Sequence, residues 1–193
     1  MFYHTGFSMT HTKYSALFLD RDGVINERLP GEYVSDWEQF RWRAGNPEAI
    51  AALGDRFQYV FVVTNQQGVG KGLMTEGQLN TVHQRMQEAI RAVGGRIDHI
   101  FCCTDLANQP GNCRKPSPQM GYAAQEIFPD IDFFRSYMAG DSLSDLQFGQ
   151  ALGMRNVLIR GKAEEEAAIR RAVPAGLPVR HELDQLAELL EYL

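Results

Sequence analysis

The chain has 193 residues, 44% of them hydrophobic and 22% charged, with a formal net charge of −5. That length suits one well-packed domain and is short for two, and the acidic balance without a basic run gives no reason to expect a nucleic-acid partner. No apolar stretch approaches a membrane span, and residues 1–15 lack the cationic start and apolar core of a secretory signal, so a cytoplasmic protein is expected.

Residues 1–14 read as a flexible extension, with Met9 as an alternative start, ahead of a single domain over residues 15–193. Short apolar runs then alternate with helical patterns, which is the pattern of βα units and a mostly parallel sheet. The first strand, Ala16-Leu17-Phe18-Leu19, runs straight into Asp20-Arg21-Asp22-Gly23-Val24. Two carboxylates at i and i+2 share one face of a strand, at the edge where an open α/β sheet places its active site. Their mutual repulsion calls for a divalent cation with a preference for hard oxygen ligands, typically Mg²⁺. A bare acid pair of this kind is more often a turn feature, so the weight falls on the polar groups at the ends of the later strands.

A helix is expected over residues 47–53, with Asn46 as its cap and Pro47 at its first position. The second strand, residues 59–63, leads into Thr64-Asn65-Gln66, on the same sheet edge as Asp20; a hydroxyl and backbone N–H groups there suit phosphate oxygens. Gly68, Gly70 and Gly72 make the next turn flexible. Lys71 follows glycines there, but Asn65 and Gly72 stand where a nucleotide-binding P-loop needs glycine and a hydroxyl residue. A helix over residues 75–93 has Thr75 as cap and spaces Leu79, Val82, Met86 and Ile90 along one face. The third strand, residues 100–103, precedes a proline-rich loop over residues 109–118 that carries Arg114 and Lys115, a planar fork and a point charge suited to anions. Residues 117–127 read as a helix, residues 137–139 as the fourth strand. Gly140-Asp141-Ser142-Leu143-Ser144-Asp145 comes next, where Asp141 completes an acidic metal site with Asp20 and Asp22, and Asp145, one turn on, can orient Lys115 or a metal-bound water. Helices over residues 143–152, 163–173 and 182–192, with a fifth strand over residues 156–159, complete the pattern.

An acid pair, Thr-Asn, Lys and a second acid pair, each at the end of a successive strand, resemble the haloacid dehalogenase superfamily of phosphohydrolases from residue 14 to about residue 179. The fold this implies is α/β: a Rossmann-like three-layer sandwich around a mostly parallel sheet, without a large cap domain, because no interval between motifs is long enough to fold as one. The runs Phe18-Leu19-Asp20-Arg21-Asp22-Gly23-Val24-Ile25-Asn26, Val63-Thr64-Asn65-Gln66 and Cys113-Arg114-Lys115-Pro116 are similar to the branch (subfamily IIIA) of heptose 1,7-bisphosphate 7-phosphatases and histidinol-phosphate phosphatases. Gly31-Glu32-Tyr33-Val34, with Trp37 and Phe40, is similar to the heptose enzymes.

The resemblance implies Asp20 as nucleophile, Asp22 as general acid/base, and Mg²⁺ held by Asp20, the backbone carbonyl of Asp22, and Asp141. It implies Thr64, Asn65 and Lys115 on the transferring phosphoryl group, and Arg114 on the rest of the substrate. The implied partner is a small sugar phosphate, most simply the heptose bisphosphate, acted on by a monomer or small homo-oligomer. Histidinol phosphate is the alternative substrate. A nucleic-acid 3′-phosphatase, or a receiver-like module phosphorylated on Asp20, ranks behind both; the charge balance opposes the first and Asp22 the second. Relatives close a structural Zn²⁺ site just before Arg-Lys-Pro. Here Cys103 and Cys113 match two of its ligands, while Asp105 and Gly111 replace the others, so zinc is not expected. The three cysteines are expected reduced, with Cys102 and Cys103 as small buried apolar residues.

Overall fold

The near-continuous apolar runs become a six-stranded sheet in the computed structural model, which describes residues 14–29, 31–161 and 163–193. The strands are β1 (Tyr14–Leu19), β2 (Phe57–Asn65), β3 (His99–Cys103), β4 (Tyr137–Gly140), β5 (Arg155–Ile159) and β6 (His181–Leu183). Their order is β3-β2-β1-β4-β5-β6, and every neighbouring pair is parallel. The chain winds outward from β1 to β3, then returns to lay β4 on the other side of β1. That reversal makes a crevice beyond the carboxyl ends of β1 and β4, where α/β sheets bind their ligands.

Alternation along β1 divides the core between the two faces of the sheet. Leu17 and Leu19 join Val60, Val62, Val82, Met86 and Ile90 on one face, covered by α1 (Asn46–Gly54) and α3 (Glu76–Ala92). Ala16 and Phe18 join Phe61, Val63, Phe101, Met120, Phe148 and Leu152 on the other, covered by α4 (Gln119–Ile127) and α5 (Leu143–Leu152). A smaller cluster of Leu146, Leu158, Ile169 and Leu177 seats α6 (Ala163–Ala172). The stripe expected on α3 is buried, and Thr75 caps that helix with Gln78 in a reciprocal pair of hydrogen bonds.

Several local expectations change. Tyr14 is already the first residue of β1, so it is not part of the extension; the rest of that extension lies outside the described residues. Gly45, at φ 72°, caps α1, while Asn46 instead gives its side-chain N–H to the carbonyls of Val24 and Ile25. Part of the flexible turn forms a short helix, α2 (Gln67–Gly70). The helix expected over residues 182–192 splits into β6 and a 3₁₀ segment, Leu186–Tyr192.

The expectation of reduced cysteines is also corrected. Cys103 and Cys113 form a disulfide across a Cα–Cα distance of 5.6 Å, leaving Cys102 as the free thiol. Strand alternation sends Cys103 into the core and Cys102 to the opposite face, where burial pushes its thiol up to about 11 and makes it a poor nucleophile. The bond replaces simple packing as the staple of the loop over residues 104–112. Closing a ten-residue separation constrains the unfolded chain by about 3 kcal/mol. Dithiothreitol is therefore expected to raise the thiol count under denaturing conditions from one to three and to lower the urea midpoint accordingly. An unchanged midpoint after verified reduction would remove the disulfide from the stability of the fold.

Candidate active site

Asp20 leaves β1 at its carboxyl end, with its backbone N–H still bonded to Ala139 of β4. The next residues turn sharply, and the Arg21 carbonyl accepts from the N–H groups of Val24, Ile25 and Asn26. Gly23 sits at φ 103°, and a side chain there would meet Asp141 Oδ2 at 2.0 Å. Only glycine allows both that backbone and the approach of the two acidic turns. Gly140 serves the same end on β4, because an added Cβ would lie 2.1 Å from Asp145 Cβ.

Lys115 is the centre of the site. It is 4% exposed, and its Nζ donates to Asp20 Oδ1 at 2.6 Å and to the Val63 carbonyl at 2.7 Å, and pairs with Asp145 Oδ1 at 2.6 Å. Burial alone would strip its proton, but Asp145 and Asp20 outweigh that and hold it firmly protonated. The backbone of Lys115 is clamped as well. Asn65 Oδ1 accepts from its N–H at 2.9 Å, and Asn65 Nδ2 donates to its carbonyl at 3.2 Å. Both ends of the Asn65 amide are thus engaged in bracing Lys115, a role the strand-end position does not reveal. Asp145 is fixed in turn, its Oδ2 accepting from Ser142 N–H at 3.0 Å and Ser142 Oγ at 2.6 Å.

The two acids of the first motif differ in their surroundings. Burial pushes the Asp20 carboxyl up to about 6, with the Lys115 charge opposing and the Asp145 charge reinforcing the shift. Burial acts on Asp22 in the same direction, yet the Arg21 charge and hydrogen bonds from Asn26, Arg21 and Gln66 prevail and hold it below the usual carboxylate range. Asp22 Oδ1 accepts from Arg21 Nη2 at 2.9 Å, Arg21 Nε at 3.2 Å and Asn26 Nδ2 at 3.0 Å. Its Oδ2 accepts from Gln66 Nε2 at 2.7 Å, and the same nitrogen donates to Thr64 Oγ1 at 2.8 Å.

Carboxylate oxygens of Asp20, Asp141 and Asp145 gather within 4.8 Å of one another. A hard, anionic oxygen set of this kind fits a divalent cation such as Mg²⁺. The Asp22 carboxylate stands outside that cluster and faces Arg21. Arg28 approaches Asp141 Oδ2 at 3.6 Å. Zinc does not fit the other cluster, Cys103, Asp105 and Cys113. The two sulfurs are joined to each other, and Asp105 Oδ2 accepts the Cys113 N–H at 3.0 Å.

Asp20, Asp22, Thr64, Asn65, Lys115 and Asp145 line one cavity of about 580 Å³. Its wall adds Arg28, Lys71 and Arg114, together with Tyr33. Arg114 is half-buried, and its Nη1 is buried without a hydrogen-bond partner among the described residues. Lys71 Nζ and Gln67 Nε2 both donate to the Tyr33 hydroxyl, at 3.2 and 3.1 Å. Gln67 also accepts from Ala107 N–H, tying α2 to the disulfide-bonded loop. Of the predicted residues, Cys103, Asp105 and Cys113 are not part of this lining, nor is Asp141, which clusters with the lining residues Asp20 and Asp145. Arg21, Arg28, Gln66, Lys71 and His83 escape the sequence reading as contributors, although Arg21 and Gln66 each adjoin a motif residue.

The family described as HAD-hyrolase-like matches residues 112–189. A D-glycero-alpha-D-manno-heptose-1,7-bisphosphate 7-phosphatase of Mycobacterium tuberculosis H37Rv is 42% identical over 131 residues, covering 68% of this chain and 69% of that protein. The D-glycero-beta-D-manno-heptose-1,7-bisphosphate 7-phosphatase of Bordetella bronchiseptica is 32% identical over 174 residues, covering 90% and 96%. A crystal structure of the D,D-heptose 1,7-bisphosphate phosphatase from B. bronchiseptica, complexed with magnesium and phosphate, superimposes with a TM-score of 0.79 at 30% identity, covering 93% of this chain and 99% of that one. With the all-parallel sheet, the absence of a large cap among the described residues and the acidic crevice at its switch point, these likenesses have one reading: the chain belongs to the haloacid dehalogenase superfamily of phosphatases, in the branch that holds the heptose 1,7-bisphosphate phosphatases.

Proposed function

We propose that this chain removes the 7-phosphate from D-glycero-D-manno-heptose 1,7-bisphosphate through a phospho-Asp20 intermediate. The observation that carries the reading is a cavity with a buried Asp20–Lys115 pair on its floor and a second, underused cation, Arg114, in its wall. One pole suits the phosphoryl group being cleaved and the other an anionic group elsewhere on the same small substrate.

In this reading Lys115 holds Asp20 Oδ1, so that Oδ2 attacks phosphorus as the bond to the sugar oxygen breaks. Mg²⁺, held by Asp20, Asp141 and the Asp22 backbone carbonyl, would neutralise phosphate charge and keep Asp20 ionised despite its burial. Thr64, Lys115 and backbone N–H groups near Asn65 receive the phosphoryl oxygens, with positioning and charge supplying most of the acceleration. Asp22 protonates the departing sugar oxygen and then takes a proton from the water that hydrolyses phospho-Asp20. The contacts that keep Asp22 ionised at rest are countered when a phosphate dianion arrives beside it, since a neighbouring negative charge favours protonation. A cytoplasmic location belongs to the same proposal, with the Cys103–Cys113 bond then in competition with the reducing thiol pool. Among the described residues no helix is long and apolar enough to cross a membrane.

Phosphate release with Mg²⁺ from both heptose 1,7-bisphosphate anomers, histidinol phosphate, simpler sugar phosphates and a 3′-phosphorylated oligonucleotide tests the substrate. The alpha anomer is expected to lead, in line with the 42% identity to the mycobacterial enzyme. A lead for histidinol phosphate or the oligonucleotide overturns the assignment. Asp20→Asn is expected to cut turnover by at least about a thousandfold and to abolish the acid-stable, alkali-labile phosphoenzyme trapped by quenching, with the fold retained. Near-normal turnover in that variant refutes the nucleophile. Arg114→Ala is expected to raise KM for the bisphosphate about 10- to 100-fold, the equivalent of losing charge-assisted hydrogen bonds, while a 7-monophosphate changes by no more than about twofold. Equal losses on both substrates would remove Arg114 from the distal phosphate.

A further inference from the structure

His83 is a buried, ionisable side chain that the proposed reaction leaves unused. It lies on the inner face of α3 among Leu79, Val82 and Met86, and is 7% exposed. Arg21 is 0% exposed and is the largest of the fully buried side chains. A buried guanidinium needs a partner on every side, because each unsatisfied N–H keeps its full desolvation cost. One side of the Arg21 fork is taken by Asp22 Oδ1, through Nε and Nη2. On the other side, Nη1 lies 3.2 Å from His83 Nε2. Arginine cannot accept a hydrogen bond, so Nε2 must be the acceptor and the ring must be neutral with its proton on Nδ1. Burial, reinforced by the Arg21 charge, pushes the ring down to about 3, in keeping with that neutral form.

The two oxygens of Asp22 are consequently unequal. Oδ1 takes Arg21 and Asn26 together, whereas Oδ2 accepts from Gln66 Nε2, a donor it shares with Thr64 on the phosphate side of the crevice. We infer that His83 is a positioning residue for the general acid/base: by fixing the Arg21 fork it pins Asp22 Oδ1, so that Oδ2 is the atom that exchanges protons with the leaving group. In that step the P–O bond breaks, its electron pair stays on the sugar oxygen, and the proton on Asp22 Oδ2 moves to that oxygen while Asp20 bonds to phosphorus. The inference rests on the proposed acid/base role of Asp22, and adds a link that reaches α3, 62 positions along the chain from Arg21.

The test compares His83→Leu, which packs but cannot accept, with His83→Gln, whose amide oxygen can take the Arg21 N–H. Each is assayed for kcat/KM on a sugar phosphate and on p-nitrophenyl phosphate. This ratio reports events through departure of the leaving group, and p-nitrophenolate leaves without a proton. His83→Leu is expected to lose about 10- to 100-fold on the sugar phosphate and no more than about threefold on the aryl phosphate, with His83→Gln recovering most of the difference. Equal losses on the two substrates, no loss on either, or a His83→Gln enzyme as impaired as His83→Leu would overturn the inference. If His83→Leu fails to fold, as judged by thermal unfolding, His83→Phe, which also packs but cannot accept the Arg21 N–H, takes its place under the same criteria. Asp22→Asn run alongside separates the two levels. If it shows the leaving-group dependence and His83→Leu does not, only the His83 link falls; if Asp22→Asn shows none, the acid/base assignment falls with it.

Discussion

The buried ammonium of Lys115 is the interaction on which this site depends. Three oxygens surround it, from Asp20 on β1, Val63 on β2 and Asp145 on α5, so one charge ties together three elements that meet at the sheet's switch point. Burying an ion is tolerable only where partners compensate the lost water, and removing any one of these would leave charge stranded in the core. The same geometry explains why the neighbours of Lys115 are so constrained. Asn65 grips its backbone, Ser142 holds Asp145, and glycine at positions 23 and 140 lets the acidic turns close in. A site assembled from like charges is held together by the cation at its middle.

Much of this is legible in the sequence because strand ends carry strong signals. An apolar run passing at once into Asp20-Arg21-Asp22-Gly23 gives both the strand and the edge at which its acids emerge. Thr64 and Asp141 repeat that logic, and the sheet aligns them with Asp20 at one edge, to which the loop after β3 returns Lys115. Helix α3 is equally plain, since Leu79, Val82, Met86 and Ile90 keep one face and Thr75 caps it. The short elements are not legible. β6 has only three residues, with a charged Glu182 in the middle, so its pairing with β5 is invisible to periodicity. Leu186 and Leu189 have a helical spacing, which hides the switch from strand to 3₁₀ geometry inside residues 182–192.

What pattern reading misses most is partnership over distance. His83 reads as one more residue near an apolar stripe, and nothing local says that Arg21 ends beside it. Arg21 itself sits between two acids, where an exposed guanidinium and a wholly buried one look alike on paper. The strand-end position of Asn65 suggests a phosphate ligand, whereas its amide braces the loop that delivers Lys115. The disulfide belongs to the same class. Spacing gives the length of the intervening segment, but only the return of the loop over β3 shows that Cys113 comes back to Cys103.

Arg43 gives the chain's far end a stake in its first motif. The Arg43 guanidinium donates to the Gly23 carbonyl within the acidic turn, and also to the carbonyls of Arg160 and Asp184, the residues just past β5 and β6. Leu183, Leu186 and Leu189, from the last dozen residues, fill the same core as Leu17 and Leu19 of β1. During synthesis, then, the acidic turn after β1 emerges well before the segments that brace it. Its scaffold closes only when β6 and the 3₁₀ segment after it have docked, so the acidic turn takes its final setting late in folding.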